Sequence, residues 1–367
     1  MMPLHSEGYK QVLFFSRGKG RGHAIPDAAI ANELVKVEPR IEITFVSYSV
    51  GAATLKDLGQ EVIDLRLPED NSLWETALPA LSLLRERRPA LVVSHEEFCI
   101  PPLSQALGVP VVFLTDWFAN AESVWMQALK YADQIIFLDD PGIYDEPPYL
   151  AGKVLYVGYV LRSLETEGTN QTQSRSALGL PADSTIILVS PGGAKIHSET
   201  HAPLFDLILG AYDLLPAGQR RLLWVVGEPD YSSLIEKSLE RQDLVILKPH
   251  YNFTPTIMAA DIVITKGNRL PLFECEVLGI PSISISYGNN PVDDYRVSHI
   301  RTNFALRARG LNQTILRDYI VRALNRAKEV GQQPRRDIGN QRLMVARALQ
   351  SRLHCDGPTV VAPSRPS

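Results

Sequence analysis

Short, almost unbroken apolar runs alternate with segments of helical periodicity along most of this chain. The runs at 11–16 (QVLFFS), 41–46, 61–65, 91–94, 111–115 and 134–138 are rich in Val, Ile and Phe and too short for helices, which predicts buried strands. Between the first two, AIPDAAIANELVKV at 24–37 repeats apolar residues at i, i+3 and i+4, a helical pattern. Pro26 falls in its first turn, where a missing N–H costs nothing. After residue 176 the alternation restarts, with strands expected at 185–190, 221–226, 244–247, 262–265 and 282–286. Helices are expected near 199–214, 231–239, 254–260, 312–329 and 342–353. Strands and helices in this order imply parallel sheets covered on both faces.

The stretch at 164–176, LETEGTNQTQSRS, is polar and aperiodic and reads as a surface linker. The expected organisation is an N-terminal Rossmann-like α/β domain over 10–162, a linker over 163–176, a C-terminal Rossmann-like domain over 177–354 and a disordered tail over 355–367. The two domains are expected to face a cleft, with the last helix a candidate to cross back to the first. No repeat at solenoid periods is found.

Composition changes this picture little. A chain of 367 residues suits two domains at about 150 residues each. A net charge of −4 without a long basic run argues against a nucleic-acid surface. Cys99, Cys275 and Cys355 are scattered and lack C-x-x-C spacing, so neither a disulfide framework nor a structural zinc site is expected, and a reducing cytoplasm fits. No apolar run approaches the ~18 residues of a membrane span, and the first ten residues lack the apolar core of a signal peptide. The expectation is a soluble, cytoplasmic protein, with oligomeric state left open.

Candidate chemistry gathers where strands end. The stretch 261–286, DIVITKGNRLPLFECEVLGIPSISIS, reads as strand, glycine turn, helix and strand. A ligand bound by such a unit sits at the strand's carboxyl end against the helix N-terminus. Glu274, about one turn into the helix, either reaches a sugar hydroxyl there or is a carboxylate favoured by the helix dipole. The loop Gly18-Lys19-Gly20-Arg21-Gly22-His23 follows the first strand, but His23 stands where a dinucleotide fingerprint needs its third glycine. No acid ends the second strand, and no G-K-[ST] closes the loop, so neither NAD nor a Walker site is expected. His23 is then a base or donor at a helix start, or simply a helix cap. Turns containing Ser190, Gly192 and Gly193, then Gly227, then Lys266, Gly267 and Asn268 suit a diphosphate. His95-Glu96-Glu97 lacks the H-E-x-x-H metal spacing and reads as a polar cluster. Asp116 ends the apolar VVFL run and is a functional acid or an N-cap.

The order of these features resembles the GT-B glycosyltransferases, and within them the peptidoglycan N-acetylglucosaminyltransferase branch (glycosyltransferase family 28). GKGRGHAIPDAAIANEL is similar to that branch's G-G-T-G-G-H-x-x-P loop and helix, with His23 and Pro26 matching. SPGGAK resembles its second glycine loop, and 248–274 its nucleotide-binding strand, helix and turn. The resemblance implies an inverting, metal-independent transfer from a nucleoside-diphosphate sugar, a UDP-sugar by family, with no cofactor. It implies Glu274 at the ribose, His250 at the nucleobase, and Gly20, Gly22, Gly193, Tyr251, Gly267 and Arg269 around substrate. Departures also appear. Pro271 stands in the diphosphate turn, and Asp293-Asp294 replaces the Q-Q pair that reads the sugar. SHEEFCIPP replaces the loop tied to a lipid diphosphate acceptor, so a soluble or small-molecule acceptor is expected, with His23 or Asp116 as base. A nucleotide-sugar hydrolase or epimerase, or a non-catalytic binding protein on the same fold, is the alternative.

Overall fold

The computed structural model describes residues 8–118, 123–162, 164, 170–191, 201–216, 218, 220–225, 240–247, 253–267, 269–287, 300–330 and 340–354. The chain divides into two compact units, one formed by Met1–Lys19, His23–Val160 and Asn340–Ser367, the other by Gly20–Gly22 and Leu161–Gly339.

The first unit contains β1 (Lys10–Ser16), α1 (Ala24–Val37), β2 (Ile41–Ser47), α2 (Ser49–Asp57), β3 (Val62–Asp64) and α3 (Leu73–Arg87). There follow β4 (Leu91–His95), α4 (Ile100–Ala106), β5 (Val111–Thr115), α5 (Val124–Ala128), β6 (Gln134–Phe137) and β7 (Val154–Tyr156). Its strands form one parallel sheet in the order β3-β2-β1-β4-β5-β6-β7. The central strands β4 and β5 are buried along their whole length, as a sheet covered on both faces demands.

The second unit contains α6 (Gln171–Ala177), β8 (Thr185–Ser190), α7 (His201–Asp213), β9 (Arg220–Val225), β10 (Leu244–Leu247) and α8 (Thr254–Ala259). It continues with β11 (Ile262–Thr265), α9 (Arg269–Leu278), β12 (Ser282–Ser286), β13 (Asn303–Arg307) and α10 (Gln313–Val330). The parallel order is β10-β9-β8-β11-β12-β13, the doubly wound Rossmann arrangement.

Three features differ from the sequence expectation. The stretch read as an aperiodic linker contains α6, started by a capping box in which Asn170 and Gln173 satisfy each other's backbone N–H. Arg175 on that helix is buried and donates to the Ala259 carbonyl and to Asp261, which fastens α6 to the second unit. The range 177–354 carried the last helix, α11 (Gln341–His354), with the second domain, while its expected return to the first is what is found: it packs on the first unit. Val345, Ala346, Leu349 and Leu353 join the core beneath α1. Lys10 Nζ donates to the Leu353 carbonyl at 2.6 Å, and Gln350 to the Val37 carbonyl at 2.7 Å. Finally, the edge strands β7 and β13 were not expected. The helix expected at 231–239 and the tail at 355–367 lie outside the described residues. Among the described residues no helix is long and apolar enough to cross a membrane.

Candidate active site

In the first unit β1 and β4 lie side by side, with Ser16 opposite His95. The chain leaves this pair toward opposite sheet edges, which opens a crevice at the carboxyl ends of the strands. The loop after β1 is pinned there. Arg17 N–H donates to the His95 carbonyl at 3.3 Å, and Gly51 N–H to the Gly18 carbonyl at 3.2 Å. A Cβ on Gly18 would lie 2.3 Å from the Tyr48 carbonyl oxygen and 2.4 Å from its ring, so only glycine fits.

His23 sits at the N-cap of α1 with helical backbone angles, but its side chain makes no capping hydrogen bond. Its Nε2 instead lies 3.0 Å from Glu96 Oε2, which sets aside the capping role. Glu96 is held just past β4 at φ +58°, a left-handed conformation that costs a non-glycine residue about 1–3 kcal/mol. That backbone aims a buried carboxylate back into the crevice. Arg17 Nη1 lies 3.3 Å from its Oε2, and Thr115 Oγ1, at the end of β5, lies 3.1 Å from its Oε1.

A second His–carboxylate pair lies beneath the first. Asp27, in the first turn of α1, is fully buried, with Oδ1 2.7 Å from His95 Nδ1 and Oδ2 accepting from Ser16 Oγ at 2.6 Å. The His95 and His23 rings meet edge to face, with centroids 4.6 Å apart. Asp27 thereby ties β1, α1 and β4 together under His23.

The electrostatics separate the roles. Burial holds the His23 imidazolium below the ordinary histidine range, outweighing its hydrogen bond to Glu96, so the ring is neutral at pH 7. Burial pushes the Glu96 carboxyl upward, but the hydrogen bond and charge of His23, with His95 and Arg17, bring it well below the usual carboxylate range. A carboxylate can only accept, so Nε2 of His23 carries the proton and Nδ1 the lone pair. That Nδ1 is shielded from bulk water and has no hydrogen-bond partner among the described residues. Next to Glu96 in sequence, the Glu97 carboxyl is pushed up to about 7 by burial, against the opposing hydrogen bond that Tyr48 O–H donates at 2.9 Å.

Asp116 follows β5 half-buried, and the next helix, α5, is capped by Ser123, so Asp116 caps no helix. The carboxylate that meets His23 is Glu96. Sequence reasoning saw the H-E-E string but not this partnership, because neither the β1–β4 register nor the left-handed turn at Glu96 is written in local pattern.

In the second unit the equivalent crevice lies between β8 and β11, where Ser190 is opposite Thr265. Lys266 and Gly267 follow at once. Gly267 has φ +80° and donates its N–H to Thr265 Oγ1 at 3.1 Å, forming the turn into α9, whose first residue is Arg269. Lys266 Nζ lies 5.7 Å above the Tyr287 ring. Glu274 is fully buried and lies beyond the first turn of α9, so the helix-dipole role does not describe it. Arg162 grips it from two sides, Nε to Oε1 at 2.5 Å and Nη2 to Oε2 at 3.2 Å. Burial still pushes this carboxyl upward, with Arg162 pulling the other way. In the loop that follows β1, Gly20 takes φ +63°. The other expected substrate residues, Gly192, Gly193, Gly227, His250, Tyr251, Asn268, Asp293 and Asp294, lie outside the described residues.

No protein-family model matches the chain. A curated relative from Acetivibrio thermocellus, a UDP-N-acetylglucosamine–N-acetylmuramyl-(pentapeptide) pyrophosphoryl-undecaprenol N-acetylglucosamine transferase, is 24% identical over 298 residues, covering 74% of this chain and 77% of the relative. The transferase of the same name from Nitrobacter winogradskyi is 26% identical over 297 residues, covering 75% and 76%. Among solved structures, the calicheamicin glycosyltransferase superposes with a TM-score of 0.62 at 17% identity, covering 94% of this chain and 98% of that one. MurG of Acinetobacter baumannii gives 0.60 at 14% identity, covering 93% and 99%. With two doubly wound units and these likenesses, the chain has the GT-B fold and is similar over most of its length to the peptidoglycan N-acetylglucosamine transferases.

Proposed function

We propose that the protein is a glycosyltransferase that moves a sugar from a UDP-sugar to an acceptor hydroxyl, with His23 as the general base and Glu96 as the group that orients it. The observation that supports this reading is the His23–Glu96 pair, 3.0 Å apart at the carboxyl end of the sheet, with His23 Nδ1 left without a partner. In the proposed step the acceptor oxygen attacks the anomeric carbon while His23 Nδ1 takes its proton. The bond from that carbon to the diphosphate breaks with its electron pair, UDP leaves, and the anomeric centre inverts. Glu96 fixes the tautomer and stabilises the imidazolium as it forms, the part an orienting carboxylate plays beside any catalytic histidine.

The donor is assigned to the second unit, with Gly267 and the start of α9 at the diphosphate and Lys266 and Arg269 supplying charge. No metal is required in this scheme, because backbone donors and cations carry the leaving charge. The acceptor is a small molecule in this reading, supported by the departure at SHEEFCIPP. Glu274 is the ribose ligand by resemblance, and its grip on Arg162 means a ribose must share or displace that guanidinium. A thermal-shift panel of UDP-, ADP-, GDP- and dTDP-sugars tests the donor class. UDP-sugars should raise the melting temperature at concentrations where the others do not. Equal shifts for all, or none for UDP-sugars, would refute it.

A further inference from the structure

His23, His95 and Glu96 together offer two ring nitrogens and a carboxylate oxygen that all lie within 4.8 Å of one another. We propose that this cluster is a binding site for a divalent transition-metal ion of the zinc class, and that the ion switches the enzyme off by occupying the histidine that serves as base.

Two imidazoles and a carboxylate, with a fourth position left open, suit zinc-like ions better than Mg2+ or Ca2+, which prefer all-oxygen sites. Two donors on a tetrahedral ion at ~2.1 Å lie about 3.4 Å apart, and His23 Nε2 and Glu96 Oε2 already stand at 3.0 Å. The support around His95 is the kind metal-binding histidines have. Its Nδ1 is held by the fully buried Asp27 at 2.7 Å, and Asp27 is fixed by Ser16 at 2.6 Å. That contact commits Nδ1 and makes Nε2 the nitrogen His95 presents to the cluster, with a carboxylate raising its basicity. Glu96, whose left-handed backbone turns its carboxylate into the crevice, supplies the negative ligand. The opposing feature is Arg17, 3.3 Å from Glu96, whose side chain is 21% exposed and can turn to solvent.

The inhibitory consequence follows from proton placement and rests on the reading of His23 as base. A metal on Nε2 displaces the proton that Nε2 donates to Glu96. A neutral imidazole must then carry its proton on Nδ1, the atom needed as base. No net proton is released, but the basic lone pair is gone.

The test is titration of the full-length protein with Co2+, read by the visible d–d bands that low coordination intensifies, followed by displacement with Zn2+. The expected result is one tight site in the wild type, lost in both His23→Ala and Glu96→Gln. Asp27→Asn should weaken binding by roughly 10- to 100-fold, and Arg17→Gln should tighten it. Circular dichroism of each variant separates a lost site from a lost fold. Absence of bands in the wild type, or bands unchanged in both His23→Ala and Glu96→Gln, would overturn the site. Zn2+ should also stop UDP release from a UDP-sugar, reversibly with EDTA. Binding without inhibition would uphold the metal site and refute Nδ1 as the base.

Discussion

Replacing Arg162 by Met keeps the aliphatic stem and removes the cation that, among the described residues, grips the fully buried Glu274. Breaking a buried pair from one side costs about 3–5 kcal/mol, because the remaining charge is left in a poor solvent. The carboxyl has an escape in protonation, and that sets a pH-dependent ceiling. Holding a glutamate neutral in the fold, against an unfolded pKa near ~4.3, costs ~1.4 kcal/mol per pH unit above that value. The ceiling is therefore about 5 kcal/mol at pH 8 and about 1 kcal/mol at pH 5. The sign follows from a folded pKa already raised by burial and raised further without Arg162. The native state then binds more protons than the unfolded one, so stability falls as pH rises. Urea unfolding followed by far-ultraviolet circular dichroism at pH 5 and pH 8 reads the difference. The variant should lose several kcal/mol relative to wild type at pH 8 and about 1 at pH 5, and adding Glu274→Gln should flatten the pH dependence. A loss below about 1 kcal/mol at pH 8, or the same loss at both pH values, would show that the ion pair does not hold the carboxylate as described.

Three further outcomes follow from the first unit. Leu349→Ala opens a cavity where α11 joins the core beneath α1 and should cost about 2–5 kcal/mol in urea unfolding; a cost near zero would mean the last helix is dispensable. Gly18→Ala should lower the melting temperature and the transfer rate together, since the new Cβ would meet the Tyr48 backbone at 2.3 Å; an unchanged variant would contradict the pinned loop. With its carboxyl pushed up to about 7, Glu97 should make wild-type stability fall by up to ~3 kcal/mol as pH rises from the ordinary carboxylate range to neutrality, and Glu97→Gln should remove that slope. Persistence of the slope in the variant would assign it to another group.

The alternation of apolar strands and amphipathic helices was enough to read β1, β8, β10, β11 and β12 to within a residue, along with α1. Buried parallel strands write themselves as β-branched runs, and α1 carries its own stop and start signals. The missed strands are sheet edges. β7 is three half-buried residues, and β13 alternates exposure, so neither presents a continuous apolar run. The helix α6 was hidden because its stability comes from Asn170 capping and from the buried Arg175, not from an apolar stripe. For the site, His23 was legible as a histidine at a loop–helix junction. Its partner was not, since which acid reaches it depends on the pairing of β1 with β4, where Ser16 meets His95 from 79 residues further along the chain, and on one left-handed residue, Glu96. Asp27, which no reading of the sequence singled out, is the buried post beneath both histidines. Glu274 was found, but its partner Arg162 sits 112 residues earlier, where no local pattern points to it.

The central claim is that His23 removes the acceptor proton during transfer from a UDP-sugar. The most direct measurement compares UDP release and UDP-sugar affinity in the wild type and in His23→Ala. Turnover in His23→Ala should fall by about 10²- to 10⁴-fold with donor affinity unchanged. Turnover equal to wild type in His23→Ala, with the donor still bound, would contradict it.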